Sequence, residues 1–139
     1  MDLDTFIAEW NASDRVLVHT SGSTGKPKPM MVEKRRMACS ARITCHFLGL
    51  QRGDTALLCM PLDYIAGKMV VVRSLVAGLK LIAVPPSGHP LATVSQHINF
   101  AAMVPLQVVN SLQDPQERAR LEAIDHLIIG GGAIDDSLA

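Results

Sequence analysis

Apolar residues recur along this chain in two rhythms that alternate from end to end. Leu3, Phe6, Ile7 and Trp10 follow an i, i+3, i+4, i+7 spacing, which predicts a short amphipathic helix over 3–10. Residues 15–19 read as a strand after the turn at 11–14. Met37, Ala41, Cys45 and Leu48 form the apolar stripe of a helix over 33–50, with Gly49 near its end. Residues 55–60 are an apolar run of strand length, buried on both faces and stopped by Pro61. A largely apolar helix is predicted over 65–77, closed by Gly78, and a second buried strand over 79–84. A short helix is expected over 90–99 and a strand over 100–104. Pro105 opens a helix, where its missing N–H costs nothing, and Asp114-Pro115 begins another that runs to about Ala123. Residues 126–129 form a last strand, closed by Gly130-Gly131-Gly132, and Asp135 caps a further helix.

Strands thus alternate with helices at the spacing of βαβ units. The fold expected is α/β: a mostly parallel five-stranded sheet with helices on both faces. A short polar or glycine-bearing segment follows each strand: 20–28, 61–68, 85–89, 104–107 and 130–133. In a parallel sheet all five lie at one edge, where ligands of open α/β sheets bind.

Composition supports a core and narrows the partners. Of the 139 residues 48% are hydrophobic, and the formal net charge is zero. A mean hydropathy of +0.23 argues against disorder. A neutral chain offers no electrostatic case for nucleic acid or an anionic membrane. The Lys34-Arg35-Arg36 cluster reads as a solvated first helical turn. Cys39, Cys45 and Cys59 are odd in number and lack metal or redox spacing, so they read as small apolar residues of a reducing, cytoplasmic protein. The acidic start Met1-Asp2-Leu3-Asp4 does not read as a signal peptide, and no apolar run is long enough to span a bilayer. The five histidines show no metal-ligand spacing.

The stretch from Thr20 to Lys28, Thr-Ser-Gly-Ser-Thr-Gly-Lys-Pro-Lys, carries the clearest chemistry. Glycines let successive backbone N–H groups turn inward on an anion. Hydroxyls donate to phosphate oxygens, and Lys26 and Lys28 supply positive charge. It is not a Walker loop: position 20 is Thr where that motif needs Gly, and Pro27 stands where a hydroxyl would hold magnesium. A flexible surface turn is the plainer alternative.

Thr20, Ser21, Gly22, Ser23, Thr24, Gly25, Lys26, Pro27 and Lys28 resemble, at all nine positions, the phosphate-loop signature of the adenylate-forming superfamily of acyl-CoA synthetases, peptide-synthetase adenylation domains and luciferases. Pro29 departs from the glycine usual next in that family. Further segments are similar to the same family. Residues 61–67 resemble the start of its acid pocket, with Tyr64 and Gly67 in place, and Arg73 matches a basic residue of the o-succinylbenzoate–CoA ligase branch, which serves menaquinone synthesis. Val104-Pro105-Leu106-Gln107 is similar to a helix start beside that pocket. Gly130, Gly131, Gly132 and Ala133 resemble a stretch whose bare backbone lies against adenine and acyl group.

The resemblance implies an AMP-forming acid–CoA ligase that uses ATP, Mg2+ and coenzyme A on a small carboxylic acid. It covers Arg15 to Ala139. The whole chain, 1–139, is then expected to be part of an N-terminal adenylation domain. The magnesium-linked Glu, the ribose-binding Asp and the C-terminal domain with its catalytic Lys would lie elsewhere, so no catalytic residue is placed in this chain and it is not expected to act alone. From the residues themselves, a non-catalytic nucleotide- or phosphate-binding module and a self-associating interaction fragment (a homo-oligomer) stay open. Tyr64 also reads as an aromatic cap, Asp63 as a helix N-cap, and Lys68 and Arg73 as charges that either reach solvent or meet an anion.

Overall fold

The structure, a computed structural model, describes residues 1–21 and 27–130, and side chains at 20, 21 and 27 are left aside. Eleven elements occur among them: α1 (Leu3–Ala12), β1 (Arg15–Ser21), β2 (Pro27–Glu33), α2 (Lys34–Leu48), β3 (Thr55–Leu58), α3 (Ile65–Ala77), β4 (Lys80–Ala83), β5 (Phe100–Met103), α4 (Pro105–Gln113), α5 (Pro115–Glu122) and β6 (His126–Ile129).

The α/β class and the parallel sheet are as the pattern implies. Four strands run parallel in the order β4-β3-β5-β6. The expected fifth strand, β1, instead pairs antiparallel with β2 as a separate ribbon, Arg15 opposite Glu33 through Ser21 opposite Pro27. Residues 27–33 open with two prolines at the end of the Thr20–Lys28 stretch, and these hid the second strand. The register explains how the prolines are accommodated. Lys34 N donates to Asp14 O at 2.8 Å, so that pair is hydrogen-bonded and alternate pairs are not. Pro29 opposite His19 and Pro27 opposite Ser21 fall on the non-bonded pairs, where a missing N–H costs no ladder bond.

Helices cover both sheet faces. On one side α3 packs over β3 and β5, and α2 packs on α3. Val16 and Val18 of β1, with Phe6 and Trp10 of α1, complete that core. On the other side Leu57, Cys59, Ala101 and Met103 meet Val108 of α4 and Leu121 of α5. Leu91, Val94 and Ile98 join this second core, yet the expected helix over 90–99 does not form. Arg120 Nη1 donates to the carbonyls of Leu91 and Ala92 at 2.7 and 3.0 Å, groups a helix would need for itself. β-Branched Thr93 and Val94 and the polar Ser95 add little helical preference.

The helix ends follow local chemistry. Gly49 and Gly78, at φ 67° and 69°, close α2 and α3 in the left-handed region that favours glycine. Asp114 accepts from Gln116 N and Glu117 N at the start of α5. Among the described residues no helix is long and apolar enough to cross a membrane.

Candidate functional site

The carboxyl ends of β3, β5 and β6 and the first turns of α3 converge on one region. α3 starts there because Gly67 lets its first turn fold against the β3 exit: a Cβ at Gly67 would overlap the Pro61 carbonyl oxygen and stand 2.9 Å from its carbon. Gly67 is thus a packing requirement. Tyr64 caps α3 through its backbone, and its carbonyl accepts from Lys68 N at 3.2 Å. Asp63 is not the N-cap the sequence suggested; its carboxylate takes the N-terminal ammonium at 3.2 Å instead.

Between α3 and the strands lies a cavity of about 220 Å³, lined by Ala66, Met69, Arg73, Ala102, Ile128 and Gly130 among others. Its walls are apolar apart from Arg73. The Arg73 guanidinium stands 5.7 Å from the centre of the Phe100 ring, and its Nε is buried without a hydrogen-bond partner among the described residues. Burial pushes its pKa below the ordinary guanidinium value, opposed by the nearby Cys45 thiol. A buried donor without an acceptor costs about 1–3 kcal/mol. Gly130, at the end of β6, donates its N–H to Met103 O at 3.1 Å, and a Cβ there would meet nothing within 4 Å. The structure brings Arg73 and Gly130 together in this cavity; Tyr64 and Gly67 support the helix start beside it and do not line it.

Gln107 sets the edge of the region. The sequence marked it only as part of a helix start. It is buried, and its amide donates to Cys59 O and Ser87 O at 2.9 and 3.0 Å while accepting from Val104 N at 3.1 Å. One side chain thus ties two of the segments expected at this edge, 85–89 and 104–107, to Cys59 just past β3. With its amide occupied, Gln107 is a support and not a ligand donor.

The Thr20–Lys28 stretch begins at the end of β1 and finishes at the start of β2. Thr20 opposes Lys28 and Ser21 opposes Pro27, which brings the two arms together. Lys28 is exposed. Gly22, Ser23, Thr24, Gly25 and Lys26 lie outside the described residues, as do Gly131, Gly132 and Ala133. The ribbon meets the site through Lys68, whose Nζ donates to Leu17 O at 2.6 Å. Lys68 is 3% exposed, so it neither reaches solvent nor faces the cavity. No sequence signal showed its direction.

The basic cluster departs in part from a solvated turn. Arg35 and Arg36 are exposed, but Lys34 Nζ donates to Trp10 O at 2.7 Å and lies 4.9 Å from that indole's centre. A larger charged groove of about 680 Å³ lies here, between Asp14, Arg15, Glu33 and Arg42, and contains none of the predicted site residues. Cys39 is exposed, unlike the buried Cys45 and Cys59. Among the described residues no cluster of His, Cys, Asp or Glu is arranged to hold a metal ion.

Known proteins place this arrangement. A Dyadobacter fermentans protein described as acyl-CoA synthetase (AMP-forming)/AMP-acid ligase II-like superimposes with a TM-score of 0.85 at 33% identity, over 96% of this chain and 39% of that one. The o-succinylbenzoate CoA synthetase of Bacillus subtilis, solved with its acyl-adenylate intermediate, shares the fold with a TM-score of 0.64 at 24% identity, over 85% of this chain and 31% of that one. A Mycobacterium tuberculosis relative named "Probable 2-succinylbenzoate--CoA ligase" is 30% identical over 125 residues, which are 84% of this chain and 32% of the relative. The chain therefore spans about a third of the length of such relatives. The profile of the AMP-binding enzyme family matches residues 7–139, and the chain belongs to that family.

Proposed function

We propose that this chain supplies the phosphate loop and one wall of the acid pocket of an ATP-dependent acid–CoA ligase, and that the acid is o-succinylbenzoate. The observation that carries this reading is Arg73, a half-buried residue on an otherwise apolar cavity that ends at Gly130, with a buried Nε that has no partner among the described residues. A ring-bearing acid with two carboxylates suits such a pocket: one carboxylate reacts, the other meets Arg73, and the ring lies on apolar walls. At about 220 Å³ the cavity is smaller than the roughly 300–1,000 Å³ of whole ligand pockets, in keeping with a wall completed by residues after Gly130.

In the proposed reaction a carboxylate oxygen of the acid attacks the α-phosphorus of ATP. Pyrophosphate leaves and an acyl-adenylate forms. The sulfur of coenzyme A then attacks the acyl carbonyl, and AMP leaves with the carboxylate oxygen. This chemistry needs charge stabilisation and positioning more than covalent help. Ser21, Ser23, Thr24 and the backbone N–H groups of Gly22 and Gly25 are assigned to the β- and γ-phosphates, with Lys26 and Lys28 offsetting their charge. Gly130–Ala133 are assigned to adenine and the acyl group, Arg73 to the distal carboxylate, and Tyr64 and Gly67 to holding the pocket helix. Mg2+ would be carried by the phosphates, since the described residues offer it no cage.

The test is acid-dependent ATP–pyrophosphate exchange by the complete ligase that carries this chain, across a panel of carboxylic acids. Stimulation by o-succinylbenzoate is expected. Exchange with another acid and not with this one would overturn the substrate, and no exchange with any acid would overturn the ligase reading.

A further inference from the structure

We propose that Lys68 is a positioning residue: it locks the β1–β2 ribbon, and with it the proposed phosphate loop that connects the two strands, to the helix that forms the acid pocket. The proposal rests on the ligase reading above and adds a residue to it.

Lys68 lies on α3 between Gly67 and Met69, with 3% of its surface exposed. Its Nζ donates to Leu17 O at 2.6 Å and sits 5.7 Å from the centre of the buried Phe6 ring. Leu17 opposes Met31 in the ribbon, one of the non-bonded pairs, so its carbonyl points away from β2. Among the described residues β1 pairs with no other strand. The outward carbonyl thus needs a donor from elsewhere, and Lys68 supplies it.

An apolar residue would fill the Lys68 position at lower cost. Its neighbours Met69, Val70, Val71 and Val72 are buried and apolar, and taking an ammonium out of water costs several kcal/mol before its contacts are counted. What the charge adds is direction. Val16 and Val18 already hold the ribbon to the core, but apolar contact is non-directional and resists sliding weakly. A short charge-assisted bond to one carbonyl fixes the ribbon along its length. From Leu17 the strand reaches Ser21 within about 13 Å. From Lys68 the helix reaches Arg73 within about 8 Å. Phosphate grip and acid pocket therefore share one anchor.

The test compares Lys68→Met with Phe6→Leu, which loosens the same core and keeps the hydrogen bond. In the complete ligase, Lys68→Met is expected to raise the KM for ATP and lower kcat, each about tenfold, because small misplacements of reacting groups are costly. The acid KM should stay within about twofold, while Phe6→Leu lowers Tm with both KM values intact. Equal kinetic effects of the two variants, or none from Lys68→Met, would overturn the proposal. Amide hydrogen exchange on the 139-residue chain gives a readout independent of activity. Lys68→Met should speed exchange at Val16, Val18 and Val32 about tenfold and leave Leu57 and Ala101 unchanged. Uniform acceleration, or none, would count against the lock. An inactive wild-type ligase would remove the ligase reading, and hydrogen exchange would still decide whether Lys68 locks the ribbon.

Discussion

At the scale of single residues, burial decides what each polar group does. Arg73 lines the cavity, and its buried Nε has no acceptor among the described residues. Its replacement by Met removes an unpaired buried donor and keeps the stem's packing. The urea midpoint of Arg73→Met should be equal to or higher than that of wild type, since apolar replacement of poorly paired buried charge is often neutral or stabilising. A clear drop would mean that Arg73 holds the fold. Cys59 makes a second case. Burial pushes its thiol up to about 12, from an ordinary value of 9.0. The folded chain therefore holds this proton more tightly than the unfolded chain. Its contribution is complete below about pH 9 and is lost as pH rises toward 12. Urea unfolding across that alkaline range should show a shallower decline for Cys59→Ala than for wild type, and parallel declines would assign the alkaline loss to other groups. Thiol titration of the native chain should label exposed Cys39 well before Cys59.

At the scale of elements, the sequence pattern showed what is periodic and hid what is directional. Met37, Ala41 and Cys45 marked the buried face of α2, and Gly49 and Gly78 marked two helix ends, because each follows from local geometry. The ribbon escaped notice because Pro27 and Pro29 look like strand breakers until their register is known. That register can be tested. Pro29→Ala should lower stability by less than about 1 kcal/mol, through the unfolded chain alone. Met30→Pro removes an N–H from the bonded pair with Val18 and should cost about 1–3 kcal/mol. Equal costs in chemical denaturation would refute the assigned register. The segment 90–99 teaches the reverse lesson. Leu91, Val94 and Ile98 have helical spacing and are buried, but Arg120 takes the carbonyls that a helix would use. Of the site, Arg73 was legible as a charge in an apolar helix. Lys68 showed the same signal, and only the fold reveals that it turns to Leu17 O. Gln107 gave no chemical sign of its bracing role, because its partners Cys59 and Ser87 are distant in sequence.

At the scale of the whole molecule, the parallel sheet serves as a platform and the ribbon as an attachment to it. β6 lies at the sheet edge and Ile128 and Ile129 remain partly exposed beside the cavity. The strands that flank the proposed phosphate loop and the proposed acid pocket sit on different substructures, joined through α3. The ligase reading requires these to act as one site on two substrates. The measurement that tests it most directly is ATP–pyrophosphate exchange by the complete ligase with o-succinylbenzoate, wild type beside Arg73→Met. The account predicts that wild type responds to the acid and that Arg73→Met raises the acid KM about tenfold or more, the worth of one charge-assisted contact, with the KM for ATP unchanged. An acid KM unaffected by the substitution, or an equal rise in both constants, would contradict it.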